Sequence, residues 1–241
     1  NSGIAVIKDW VEGKEVLFVG NATPLGMPPL YAHGHLDALS FTLFVDGNEI
    51  FVDPGTYLYH NGGKWREYFR STSAHNTIRL NKMELSKQTG DFMFGKPYQI
   101  TNNCLVENKD KVMWVVGHDA YLRKKTFASV VRECSWIRKN KILFITDYIN
   151  VQGQTYIELF FHFHPQCRVN NTEKYFTIQR GKLNLELYSS KSLETEVLYG
   201  AQNPMAGWYS PCFNVLQKCI TIRCYGIIED KGKFISTIRL T

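Results

Sequence analysis

Leu39-Ser40-Phe41-Thr42-Leu43-Phe44-Val45, then Asp46-Gly47, then Asn48-Glu49-Ile50-Phe51-Val52, is the stretch that decides the fold. Two apolar-rich runs flank an Asp-Gly pair, which tolerates the positive φ values that a two-residue hairpin turn demands. The same pattern recurs on both sides. Ile4 to Ile7 and Glu15 to Val19 precede it, the second closed by Gly20-Asn21. Val112 to Val116, Ser129 to Ile137 and Ile142 to Ile149 follow, with the polar turn Arg138-Lys139-Asn140-Lys141 between the last two. Tyr156 to His164, Tyr175 to Gln179, Leu183 to Tyr188, Val215 to Tyr225 and Phe234 to Leu240 continue the series. No long stretch has helical apolar spacing, and residues 61 to 74 hold a short helix or an irregular loop. Short strands punctuated by turn residues predict an all-β protein, a large antiparallel β-sandwich, rather than a βαβ fold. Nothing in 1–241 reads as a repeat or linker, so one domain is expected.

The 241 residues are enough for a full core, and 44% hydrophobic with 14% aromatic content excludes a disordered chain. No run approaches the roughly 18 apolar residues of a membrane-spanning helix. A leader with basic, apolar and cleavage regions is not legible at Asn1, which suggests a removed signal or a piece of something longer. The net charge of +6 is spread thinly. Lys109, Lys111, Arg123, Lys124 and Lys125 come nearest to a basic cluster, too sparse for a nucleic-acid stripe. The six cysteines include no Cys-x-x-Cys pair and read mostly as small buried hydrophobes.

The chemistry concentrates between Tyr31 and Thr77. His33 and His35 stand two apart, so in a strand they share a face. Two histidines with a carboxylate are typical material for a divalent metal, zinc among them. Register is the difficulty: a plain two-residue turn pairs Asp53 with Ser40 and faces it away from His35, unless a bulge intervenes. His162-Phe163-His164 repeats the spacing without a nearby carboxylate and is a weaker second candidate. Tyr57, Tyr59, Arg66, Tyr68 and Arg70 surround the motif as candidate contacts for an anionic chain, Arg66 by its bidentate fork.

His33-Gly34-His35-Leu36-Asp37-Ala38-Leu39-Ser40-Phe41 resembles the H-G-H-x-D-x-L-S-F signature of the heparinase II/III C-terminal domain. Phe51-Val52-Asp53-Pro54-Gly55-Thr56-Tyr57 resembles its second block. Trp65-Arg66 through Phe69-Arg70-Ser71-Thr72, with Ala74-His75-Asn76-Thr77, resembles its third. The resemblance implies a catalytic role for His33, zinc ligation by His35, Asp53 and His75, and a supporting place for Asp37 behind the ligands. It implies β-elimination on an acidic, uronic-acid-containing polysaccharide, with part of the catalytic machinery on a preceding α/α-toroid domain that nothing here resembles. It also implies a periplasmic or secreted bacterial protein. Two other readings compete: a noncatalytic carbohydrate-binding or assembly module, and a cupin-like metalloenzyme, although cupins place a glutamate a few residues after the second histidine.

Overall fold

The structure, a computed structural model, describes residues 3–124 and 127–241. Strands β1 (Ile4–Val11), β2 (Lys14–Asn21), β3 (Phe41–Val45) and β4 (Asn48–Phe51) form a four-stranded antiparallel sheet in chain order. Beyond it lie the short helix α1 (Lys64–Phe69) and a 3-10 turn, Thr72–Ala74. Next come β5 (Ile78–Leu80), β6 (Ile100–Glu107), β7 (Lys111–His118), β8 (Ser129–Ile137) and β9 (Ile142–His162). They are followed by β10 (Arg168–Asn171), β11 (Phe176–Arg180), β12 (Leu183–Tyr188) and β13 (Glu194–Tyr199). Two small hairpins, β14 (Ala201–Gln202) with β15 (Met205–Ala206) and β16 (Trp208–Tyr209) with β17 (Gln217–Lys218), lead into β18 (Ile220–Leu240). The second sheet has ten strands in the order β10-β11-β12-β18-β9-β8-β7-β6, with β13 added to β18 and β5 to β9. Strands hold 55% of the protein and helix 4%, so the all-β expectation stands.

Alternating burial explains why the sheets face each other. β3 reads buried–half–buried–half–buried, and its inward residues Phe41, Leu43 and Val45 join Phe18, Phe51 and Phe161 in one core. Phe18 stacks on Phe41 with ring centres 5.5 Å apart and meets Trp114 edge-on at 6.0 Å. Gly20 is the residue this packing requires: a Cβ there would come within 2.4 Å of the Trp114 ring.

Two pairs of predicted strands are each one strand. β9 runs unbroken through residues 142–162, and β18 through 220–240, hydrogen-bonded along nearly their whole length. The polar residues near Gly153 look like a turn but are a bend: the ladder shifts by two residues between Glu229 and Lys231, with Val151 to Gly153 opposite Asp230 alone, and Asp230 caps the Gly153 amide at 2.9 Å. The strand expected over Val215 to Tyr225 also starts later, at Ile220. In the hairpin, β3 begins at Phe41 because Leu39 lies at φ 65.

Candidate functional site

The hairpin carries the bulge that the site needs. Val45 pairs with Asn48 and Phe44 with Glu49, but Leu43 pairs with Phe51, leaving Ile50 as the extra residue. One inserted residue turns everything after it to the opposite face, and Asp53 thereby meets His75. Beyond the bulge the chain crosses to the other sheet: the Val52 amide donates to the His162 carbonyl at 3.0 Å, and the His164 amide to the Ile50 carbonyl at 3.1 Å.

Three loops converge at this corner, and residues outside the charged set hold them. Asn76 is buried and donates to the carbonyls of Phe41 (2.8 Å) and Val52 (2.9 Å), while its own oxygen accepts the His162 amide (2.6 Å). The Thr77 hydroxyl donates to the Ala38 carbonyl. Arg132 on β8 forms a fully buried two-pronged pair with Asp147 on β9. Its remaining prong donates to the carbonyls of Leu39 and Asn76, one in each histidine-bearing loop. Sequence reading passed over Arg132, because its partners are too distant along the chain for spacing to reveal.

His33 is exposed, at φ 62, on the rim of a cavity of about 250 Å³ shared with His35 and Asp37. Its Nδ1 is hydrogen-bonded to the Tyr59 hydroxyl. Behind it, His35 and His75 have ring centres 5.4 Å apart. Burial, aided by the neighbouring His75, pushes the His35 pKa down to about 3, so the ring is neutral and its lone pair is free. His75 is fully buried, and its Nδ1 lies 2.7 Å from Asp53 Oδ2. Dehydration works to raise the Asp53 pKa, but the bonded His75, His35 and the Gly55 amide hold it well below the carboxylate range. For His75 the opposition runs the other way: burial favours the neutral ring, and Asp53 overcomes it. Asp37 is pushed up to about 6 by burial; its side chain bonds Asn21 instead of a histidine.

The donors fit zinc in kind. Two imidazoles on one tetrahedral ion have ring centres roughly 5 Å apart, the His35–His75 spacing, and the Asp53 carboxylate reaches the same His75 ring at Nδ1. With Asp53 bonded directly to His75, no three His, Cys, Asp or Glu side chains among the described residues are grouped to hold a metal ion.

Several expected contacts need correction. Arg66 and Arg70 are fully buried, and Tyr68 is only 5% exposed. Arg66 donates to the Asp91 carbonyl and lies 4.9 Å over the Tyr59 ring. Arg70 donates to the carbonyls of Gly90, Asp91 and Met93 and lies 4.2 Å over Phe94. The two arginines thus hold the loop that brings Phe92 against His33 and Tyr59, and reach no chain at the surface. Tyr57 packs on Trp65 and Phe69. Tyr59 alone of the five touches His33. The second histidine pair also separates: His162 is buried against Thr221, while His164 lies 4.0 Å from Glu49. The basic cluster divides between the two ends of β7, and Lys125 lies outside the described residues.

Fold and corner together define an antiparallel β-sandwich domain with a histidine–carboxylate centre. The chain belongs to the heparinase II/III-like, C-terminal family, whose profile it matches over residues 1–234. The whole chain is similar to part of the heparan sulfate lyase HepC from Pedobacter heparinus, at 16% identity and TM-score 0.77, covering 35% of that chain. It is similar likewise to a heparinase III, at 13% identity and TM-score 0.76, covering 36%. A 4-alpha-glucanotransferase from Thermococcus litoralis is similar over 98% of this chain and 37% of its own, at 11% identity and TM-score 0.53. These likenesses are of fold, and the last shows that the fold alone does not choose a reaction. The chain spans about a third of the length of the structures it matches. No curated protein sequence matches it significantly. Among the described residues no helix is long and apolar enough to cross a membrane.

Proposed function

We propose that the chain is the sandwich domain of a polysaccharide lyase acting by β-elimination on a uronic-acid-containing polysaccharide, heparan sulfate-like or a related uronide. The observation that carries this is His33: exposed beside a cavity, with Nδ1 engaged by Tyr59 and Nε2 left to face a sugar. In the reaction a base takes the C5 proton, the electron pair forms the C4–C5 double bond, and the C4–O bond breaks as its oxygen is protonated. No water is consumed. If Tyr59 donates to Nδ1, Nε2 carries the proton and serves the sugar carboxylate or the leaving oxygen; in the other tautomer Nε2 is a base. The carboxylate must be held by donors as charge develops beside it, and the groups that complete this belong, on this reading, to a preceding α/α-toroid domain. The periplasmic or secreted setting is proposed with it.

Zinc is proposed at His35, Asp53 and His75, where it would tie three loops together behind His33. Cleavage is tested on the complete protein by the ultraviolet absorbance of unsaturated uronide released from heparan sulfate, chondroitin and alginate. His33→Ala should abolish it and keep one equivalent of metal, whereas His35→Ala and His75→Ala should lose the metal. No product on any uronide, with metal intact, would leave a binding module as the better reading. A full metal equivalent in both ligand variants would sink the zinc assignment.

A further inference from the structure

A larger hollow than the His33 cavity lies elsewhere in the molecule. A groove of about 840 Å³ lies across helix α1 from that cavity, bounded by α1, the 83–88 loop and the β14–β15 hairpin. α1 separates the two: Arg66 turns toward Tyr59, while Lys64, Glu67 and Tyr68 line the groove. A smaller hollow of about 200 Å³ continues it through the shared residues Ser86, Lys87 and Lys124 and adds Lys96 and Arg123.

Charge distinguishes this groove. Its floor is a row of alternating charges that satisfy one another: Glu84 and Glu158 pair with Arg79, and Glu158 and Glu196 with Arg223. Asp119 is taken by Arg123. The lysines on the walls are left over. Lys64 donates to the Gln202 amide oxygen and Lys124 to the Glu84 carbonyl, and among the described residues Lys64, Lys87, Lys96 and Lys124 have no carboxylate partner. Glu67 is the one unpaired acid on the wall. The three floor carboxylates exceed their two guanidiniums by one and Glu67 adds another, so two of the four ammonium charges are offset, and the net positive charge left along one continuous trough attracts an anionic chain.

The walls say which chain. Ser71, Ser73, Gln88 and Gln202 supply hydroxyls and amides, and Met83 and Met205 supply apolar patches. The aromatic rings of the lining, Tyr68 and Phe160, are 5% and 3% exposed, so there is no face on which a nucleobase could stack. We propose that this groove is a second binding site for a sulfated or carboxylated saccharide chain, separate from the His33 cavity. Its charges and donors suit a chain with anionic groups on every few sugars, and binding there requires no turnover.

The test uses this chain and a fluorescent, fully sulfated heparin octasaccharide, titrated at several salt concentrations. Lys64→Glu with Lys87→Glu, both exposed, should weaken binding by roughly tenfold or more and flatten the salt dependence. Lys109→Glu with Lys111→Glu, the same charge change at the other end of β7, should leave the affinity within about twofold. Circular dichroism and melting check that each variant folds, and Lys64→Gln with Lys87→Gln serves if the reversal does not. Equal affinity of the groove variant and wild type would overturn the proposal, as would equal weakening by the control pair. A single-stranded oligonucleotide of matched charge that binds as tightly through the same lysines would overturn the saccharide assignment. These outcomes are independent of cleavage, which is read at His33 in the complete protein.

Discussion

At Asn76 three hydrogen bonds meet on one buried side chain and join β3, the end of β4 and the end of β9. Asn76→Ala strands two carbonyls and one amide at once, and each buried group left unsatisfied costs about 1–3 kcal/mol. A loss of about 3 kcal/mol or more in denaturant unfolding is expected. A loss below about 1 kcal/mol would mean that water replaces the asparagine. His118 offers a pH test away from the site. It is buried between Tyr98 and Tyr121, and burial pushes its pKa down to about 4. The unfolded chain binds a proton near pH 6.5 that the folded chain refuses. Its stability is therefore complete above about pH 6.5 and declines as pH falls toward 4, by roughly 3 kcal/mol in all. His118→Phe, unfolded with metal chelated, should remove about one proton's worth of that slope; an unchanged slope would clear His118 of the effect. At this scale the sequence displayed the chemistry-bearing side chains, because His33, His35, Asp53 and His75 stand in compact motifs. Asn76 stood in plain view but its clamp did not, since its partners lie 24 to 86 residues away.

Among the elements, those that bury one face were legible and those that do not were missed. β8 and β12 occupy the residues their alternation predicts, Ser129–Ile137 and Leu183–Tyr188. β6 went unseen because it is an edge strand with nearly every residue exposed, and Asn102-Asn103-Cys104 carries no alternation to read. β13 escaped for the same reason, with Leu198 its one buried residue. The Ile50 bulge was anticipated only as a condition on the register, since nothing in an Asp-Gly turn announces which strand takes the extra residue. Gly20 sits within β2 where a side chain would ordinarily favour the strand, yet the Trp114 ring occupies the place of its Cβ. Gly20→Ala must displace Trp114, at an expected cost of about 2 kcal/mol, in the range of an overpacked core. Tryptophan fluorescence and unfolding measured together check this. A variant as stable as wild type with an unshifted spectrum would show that the two sheets can part without penalty.

For the whole molecule the decisive quantity is how much of a catalytic site one sandwich can hold. Elimination requires a base, a partner for the sugar carboxylate and an acid for the leaving oxygen, arranged around a single ring. The described surface offers His33 and Tyr59 in contact, while Tyr68, Arg66 and Arg70 are buried and the two arginines hold the loop at residues 90–93. The cavity beside them, about 250 Å³, is lined among the described residues only by the segments 23–26 and 33–37. The related structures are about three times as long as this chain, which leaves room in each of them for the opposing groups that the proposed reading assigns to a toroid domain. Correct positioning of reacting groups is worth roughly 7–11 kcal/mol, so a half-site should lose nearly all of its rate even with His33 correctly placed. The isolated chain is therefore expected to release no measurable unsaturated uronide under conditions where the complete protein turns over. Adding the proposed toroid domain in trans should restore part of the activity only if the two pieces associate, and His33→Ala should remove whatever is restored. Robust product from the chain alone would refute the division of the site and place the missing acid or base among the residues around Tyr59; Tyr59→Phe in the isolated chain would then identify it.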